Sequence, residues 1–247
     1  MKDNEVIRMI KNRRAIRDYD TEKDVSDELI HKIIEAGGYA PSAENQQPWR
    51  VVVVRDKELQ KFIGQKAVDR TILLFGRATP REELERRLDY IRSKASRERT
   101  IDILISGARF EYIKGEPETF GAPVLLVLCI DQTHVGNSQP TLRGTGGVYG
   151  WSGPRHAVIA GSMMMQNMAL AAASLGLGTC VSSVQLDHFD DIEEISRKLD
   201  VPLPHWKPIL CLTVGYPKFE RTLGPPRQPP EEVAFLNKWG KPFKVKE

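Results

Sequence analysis

Cysteine is scarce in this chain, with only Cys129, Cys180 and Cys211 among 247 residues. They lie far apart, are odd in number and sit in apolar runs. That excludes a disulfide framework or a cysteine metal cluster and implies buried thiols in a reducing compartment. The five histidines, His31, His134, His156, His188 and His205, contain no i, i+4 pair, so no metal site is expected; each reads as a surface or capping residue. No Gly-x-Gly-x-x-Gly opens a helix after a strand, because the glycines at 144, 146, 147 and 150 miss that spacing. Gly-x-Ser-x-Gly is absent as well. A strong charge of one sign is also missing: the net charge is +3 and no basic stripe is interleaved with aromatics, which excludes a nucleic-acid partner. The opening MKDNEVIRMIKNRR has no continuous apolar segment of the signal-peptide kind, so a cytoplasmic location is expected. With these templates gone, the chain has no group of its own suited to hard chemistry, and an enzymatic role requires a cofactor.

What is present suits a globular protein. Forty per cent of the residues are hydrophobic and 28% charged, enough to build a core as one domain over 1–247. Ser26 caps a helix carrying Leu29, Ile30, Ile33 and Ile34, which Gly37 and Gly38 end. Residues 50–55, 123–130, 179–184 and 209–214 are strand-like, the first two without alternation, as expected where both sheet faces are covered. Asp187 starts a further helix with Phe189, Ile192, Ile195 and Leu199 on one face. Residues 157–175 carry no charge for nineteen positions, yet Ser162, Gln166, Asn167 and Ser174 interrupt them; a buried helix is the expectation, with no membrane insertion. The predicted class is α+β, three layers around a mixed sheet. A charged insert at about 65–118 opens a helix at Thr79-Pro80-Arg81-Glu82, with Leu84, Leu88 and Ile91 as its thin apolar stripe; it reads as a surface helix or as a lid. The tail from Pro217 to Pro230 is proline-rich and reads as an extended arm on another surface.

Two clusters stand out. Arg13-Arg14-Ala15-Ile16-Arg17 puts three arginines in five residues, either a solvated helix end or a grip for a phosphate. Ala40 to Trp49 reads Ala-Pro-Ser-Ala-Glu-Asn-Gln-Gln-Pro-Trp, a polar loop stiffened by proline at both ends. It is either an ordinary helix-to-strand connection or a set of hydrogen-bonding groups held against a ligand. Taken together, and in this order, the two clusters resemble the N-terminal signature of the nitroreductase-like family of FMN-dependent oxidoreductases. A third segment, Leu175-Gly176-Leu177-Gly178-Thr179-Cys180-Val181-Ser182-Ser183, resembles the family too, as does the ending from Glu231 to Gly240.

The resemblance implies a three-layer α/β/α fold with a long central helix at a homodimer interface and an extended C-terminal arm. It implies FMN as cofactor, with Arg13, Arg14 and Arg227 at the phosphate and Arg17 at the pyrimidine edge, where a fixed cation raises the reduction potential. Ala15 belongs to the same stretch; serine is commoner there, and one side-chain hydrogen bond to the cofactor is lost. Pro41, Ser42, Ala43 and Asn45 match the loop that reaches the flavin from the second subunit, and Val181, Ser182 and Ser183 lie near flavin N5. Many family members carry Gly-Gly or Glu-Gly at that last position, so the choice between one- and two-electron transfer stays open. The implied activity passes hydride from NAD(P)H through flavin N5 to a nitroaromatic, quinone or enone in two half-reactions. The same scaffold also hosts reductive dehalogenation and oxygen-dependent flavin breakdown. Glu111, Tyr112 and Lys114 give no secure match to a dehalogenase lid, and a non-catalytic flavin binder is the remaining alternative.

Overall fold

The computed structural model describes residues 2–76, 122–132, 152–220 and 227–243. Its centre is a four-stranded sheet in the order β1-β2-β4-β3: β1 is Trp49–Val54, β2 Val124–Asp131, β3 Gly178–Ser182 and β4 Trp206–Gly215. All three ladders are antiparallel. The expected mixture of strand directions comes down, among the described residues, to one parallel bridge between Ala15 and Thr179 beside β3. The unbroken apolar run of β2 follows from its place between two layers and needs no parallel neighbour. Val124, Leu126 and Leu128 enter one core with Ile30, Ile33, Met164 and Met168, while Leu125, Val127 and Cys129 enter a second with Ile63, Ile192 and Ile195.

The first core lies under α2 (Asp27–Gly38) and α4 (Ser152–Ser174), the second under α3 (Lys57–Gly76) and α5 (Phe189–Lys198). The layers are therefore α/β/α. Ser26 caps α2 as expected, its Oγ accepting the Leu29 N–H. Gly37 does not end the helix but lies buried within it: a Cβ there would come within 2.5 Å of Met168 Cγ, so its missing side chain lets α2 approach α4. The helix at 189 is capped by His188, whose Nδ1 accepts the Asp190 N–H at 3.3 Å. Phe189, expected on the buried face, is exposed, because helical side chains lean toward the N-terminus and the first one overhangs the core. β4 begins at Trp206 and not near 209: Pro208 is accommodated by a register shift at Leu128/Cys129 that leaves Ile209 without an opposite residue.

α4 is long and apolar enough over Arg155–Ser174 to cross a bilayer by length and composition, but it packs on α1 (Glu5–Asn12), α2 and all four strands. Ala157, Ala160, Met164, Met165, Met168, Ala169 and Ala172 are buried there. The insert boundary near 65 falls inside α3; its Thr79–Glu82 helix start, the Leu84, Leu88, Ile91 stripe and Glu111, Tyr112 and Lys114 lie outside the described residues. Beyond Arg227 the tail forms the short α6 (Pro230–Val233) and a turn closed by a Phe235–Pro242 bridge. Its Trp239 is 91% exposed.

Candidate active site

The Arg13–Arg17 stretch leaves α1 and runs along the start of β3. Ile16 N–H donates to Thr179 O at 2.8 Å, and Ala15 bridges Thr179. Gly178 permits this approach, since a Cβ there would meet three atoms of the Ile16 side chain at 2.8 Å. Beside the stretch opens a cavity of about 520 Å³, within the range of about 300–1,000 Å³ common for small-molecule sites. Its walls are Met9, Asn12, Arg13, Arg14 and Ile16, then Ala173 and Gly176–Thr179, then Pro217, Phe219 and Glu220.

Two arginines, Arg13 and Arg14, and one carboxylate, Glu220, line this cavity. The buried Nε–H groups of Arg13 and Arg14 have no hydrogen-bond acceptor, and no carboxylate among the described residues forms an ion pair with either side chain. Burial, followed by the nearby charges of Arg227 and Arg14, holds the Arg13 guanidinium below its usual pKa. Arg14 also serves the helix it follows, donating from Nη1 to the carbonyls of Lys11 at 2.5 Å and Arg13 at 3.0 Å. Arg13 and Arg14 thus bring two guanidinium groups to one cavity wall, each with an Nε–H donor left over.

The remaining candidate residues divide by position. Arg227 comes close enough to act on Arg13 electrostatically. Ala15 and Arg17 are half-buried in the same stretch and do not line the cavity. Val181 and Ser182 lie further along β3 and Ser183 just beyond its end: Val181 is exposed, and Ser182 Oγ donates to the buried Gln185 Oε1 at 2.8 Å.

Pro41, Ser42, Ala43 and Asn45 are elsewhere. Their loop precedes β1 at the opposite edge of the sheet, held by the Asp131 N–H to Pro48 O bond at the far end of β2. The cavity abuts Gly178, paired with Gly215 near the other end. Loop and cavity thus occupy diagonal corners, about 20 Å apart along the strands and about 14 Å across them. The loop is itself tightly built. Ser42 Oγ accepts the Gln47 N–H at 3.0 Å, and Glu44, Asn45 and Gln47 hold φ of 54°, 54° and 48°. Non-glycine residues in that region carry strain that clusters at functional sites.

Sequence reading missed Met9, Asn12, Pro217, Phe219 and Glu220 as cavity walls. Met9 and Asn12 come with α1, which leads into the arginines, whereas the Tyr19–Pro217 bridge and the Lys218 N–H to Asp18 O bond bring Pro217, Phe219 and Glu220 there, with no local signal to mark them. The three cysteines are free and buried, and burial pushes the Cys129 and Cys211 thiols up to about 12. Among the described residues no cluster of His, Cys, Asp or Glu is arranged for a metal.

Comparison with known proteins adds a family. A protein of Staphylococcus haemolyticus provisionally named NAD(P)H nitroreductase is 25% identical over 239 residues, covering 92% of this chain and 95% of its own. One of Archaeoglobus fulgidus, provisionally named NADH dehydrogenase/NAD(P)H nitroreductase, is 51% identical over 61 residues, which are 25% of this chain and only 34% of that protein. Among solved structures, a Desulfitobacterium hafniense nitroreductase with bound FMN aligns over 96% of this chain and all of its own, at 25% identity and a TM-score of 0.58. The model of the Nitroreductase family matches residues 10–216, most of the chain, and with the cationic cavity at β3 this leads to one conclusion: the chain belongs to the nitroreductase family.

Proposed function

We propose that this protein is an FMN-dependent oxidoreductase that takes hydride from NAD(P)H and reduces an electron-poor small molecule, a nitroaromatic, quinone or enone, in two half-reactions. The observation that carries the reading is that Arg13 and Arg14 line one cavity, neither held in an ion pair among the described residues and each with a buried Nε–H left without an acceptor. A phosphate monoester supplies both the charge and the acceptors they lack. Arg13 and Arg14, with Arg227 beside them, hold that phosphate. Arg17, from the same stretch, serves the pyrimidine edge, and Val181, Ser182 and Ser183 continue the site along β3. FMN held there would supply the hydride-accepting and electron-donating chemistry that the chain's own side chains lack. The protein's part is positioning and electrostatics.

The diagonal placement of the 40–49 loop favours a homodimer. One subunit cannot bring Pro41, Ser42, Ala43 and Asn45 to its own arginines, whereas a twofold axis brings each loop to the partner's cavity. Exposed apolar side chains on α1 (Val6, Ile7, Ile10), α4 (Val158, Ile159, Met163) and the tail (Val233, Trp239) offer the surface for such a contact. Buried thiols support a reducing, cytoplasmic setting.

The test is direct. Protein purified from cells is expected to be yellow, or to become so with FMN, and anaerobic mixing with NADPH or NADH to bleach it on a catalytic timescale. Protein that stays colourless after FMN addition overturns the reading. Flavin that binds but stays oxidised with both nicotinamides identifies a pure binder.

A further inference from the structure

Tyr19 is 2% exposed, yet its ring carries a hydroxyl into the interior, where Phe would fill the same space. That hydroxyl donates to Ile16 O at 2.7 Å and lies 2.7 Å from Thr213 Oγ1, on the central strand β4. Thr213, 4% exposed, in turn accepts the Cys180 N–H at 3.1 Å. The Thr213 hydroxyl also donates to Cys180 O at 3.3 Å, and between Tyr19 Oη and Thr213 Oγ1 either oxygen can be the donor. The hydroxyl relay links both backbone groups of Cys180, through Thr213 and Tyr19, to Ile16 O. Ile16 N–H is already bonded to Thr179 O, so both backbone groups of Ile16, which precedes Arg17, are fixed.

The same tyrosine is held by the other cavity wall. It bridges Pro217, and the flanking Asp18 O and Asp20 N–H bond to Lys218 N–H and Tyr216 O at 3.1 and 2.9 Å. Gly215 leaves the space for its ring, since a Cβ there would meet Tyr19 Cδ1 at 2.8 Å. The hydroxyl of Tyr19 therefore ties the arginine stretch to Thr213 on β4 and through it to Cys180 on β3, while its backbone neighbours tie the same stretch to the segment carrying Phe219 and Glu220.

We infer that Tyr19 and Thr213 are positioning residues for the cofactor phosphate: their hydroxyl relay fixes the rail from which Arg13 and Arg14 reach into the cavity. The inference rests on the reading of that cavity as the flavin phosphate site. Charge-assisted bonds to a phosphate are sensitive to geometry, so loosening Ile16 weakens FMN binding, although neither residue touches the ligand.

The experiment compares binding of FMN and riboflavin, which differ only in the phosphate, to apoprotein of wild type, Tyr19→Phe, Thr213→Val and Thr213→Ser. The expected result is an FMN Kd raised roughly fivefold in Tyr19→Phe and Thr213→Val. Riboflavin binding is expected to stay unchanged, and Thr213→Ser, which keeps the hydroxyl, to match wild type. A general loss of stability would weaken both ligands together, so equal weakening overturns the relay. FMN affinity unchanged in Tyr19→Phe, or Thr213→Ser behaving as Thr213→Val, overturns it too. Wild-type protein that does not prefer FMN to riboflavin overturns the phosphate reading itself, and the relay's role falls with it.

Discussion

Two groups of cations occupy this molecule and have opposite surroundings. Between α3 and α5, Lys66 bonds to Asp191 at 3.2 Å and Glu194 at 2.6 Å, and Arg70 Nε bonds to the same Asp191. Asp191 is almost fully buried, and every charge there has a partner. At the Arg13–Arg14 corner the cations line a cavity, buried donors are left over, and burial together with the charges of Arg227 and Arg14 disfavours the Arg13 cation. The first group fastens one helix to another, and its charges are already satisfied. The second has donors to spare for a ligand. Pairing, more than the number of arginines, separates a structural cluster from a binding site.

The largest test of this contrast is Arg13→Ala with Arg14→Ala. FMN affinity is expected to fall at least about 100-fold, since two charge-assisted contacts are lost. Apoprotein Tm is expected to change by only a few degrees, because removing unpartnered buried donors offsets the loss of the Arg14 bonds to the Lys11 and Arg13 carbonyls; flavin fluorescence titration and calorimetry check both. A large fall in Tm with retained FMN would make this corner the fastening and erase the contrast.

Asp191→Asn probes the other side. It leaves Lys66 and Arg70 facing a neutral group and is expected to cost about 2 kcal/mol of stability, about 6 °C in Tm, with flavin content unchanged. Burial pushes the Asp191 carboxyl up, but hydrogen bonds from Arg70 and Lys66 outweigh it and hold the pKa below the usual carboxylate value. Its contribution is therefore present above the unfolded value of about 3.9 and lost as pH falls through the lower folded one. Thermal scans between pH 7 and pH 3 are expected to show a smaller acid loss in Asp191→Asn than in wild type.

Gly178→Ala gives the smallest effect. Its Cβ would push on Ile16 and shift the arginine stretch, so FMN Kd is expected to rise several-fold, with a cost of about 1 kcal/mol. An unchanged Kd would mean that the cations adapt to the ligand without being held for it.

Much of this was readable from the sequence, where local rules act. Ser26 capped α2 because a hydroxyl three residues before an amide is a local signal, and the two-faced strand β2 showed as an unbroken apolar run. Pro208 hid the first residues of β4, since a bulge that tolerates proline is set by the neighbouring strand. Gly37 looked like a helix stop because nothing local reveals Met168 pressing against it. The arginines and the loop were visible as motifs, but Phe219 and Glu220 reach the cavity only through pairing with the chain around Tyr19, two hundred residues distant. Motif spacing finds chemistry carried by one segment; it misses walls assembled from segments far apart.

The diagonal separation of loop and cavity has a consequence in mass action. Under the proposed assembly, neither corner of a lone chain retains the flavin, so a complete site forms only when two chains meet. Subunit concentration then acts on cofactor retention as ligand concentration does, and dilution releases FMN even when free FMN is held constant.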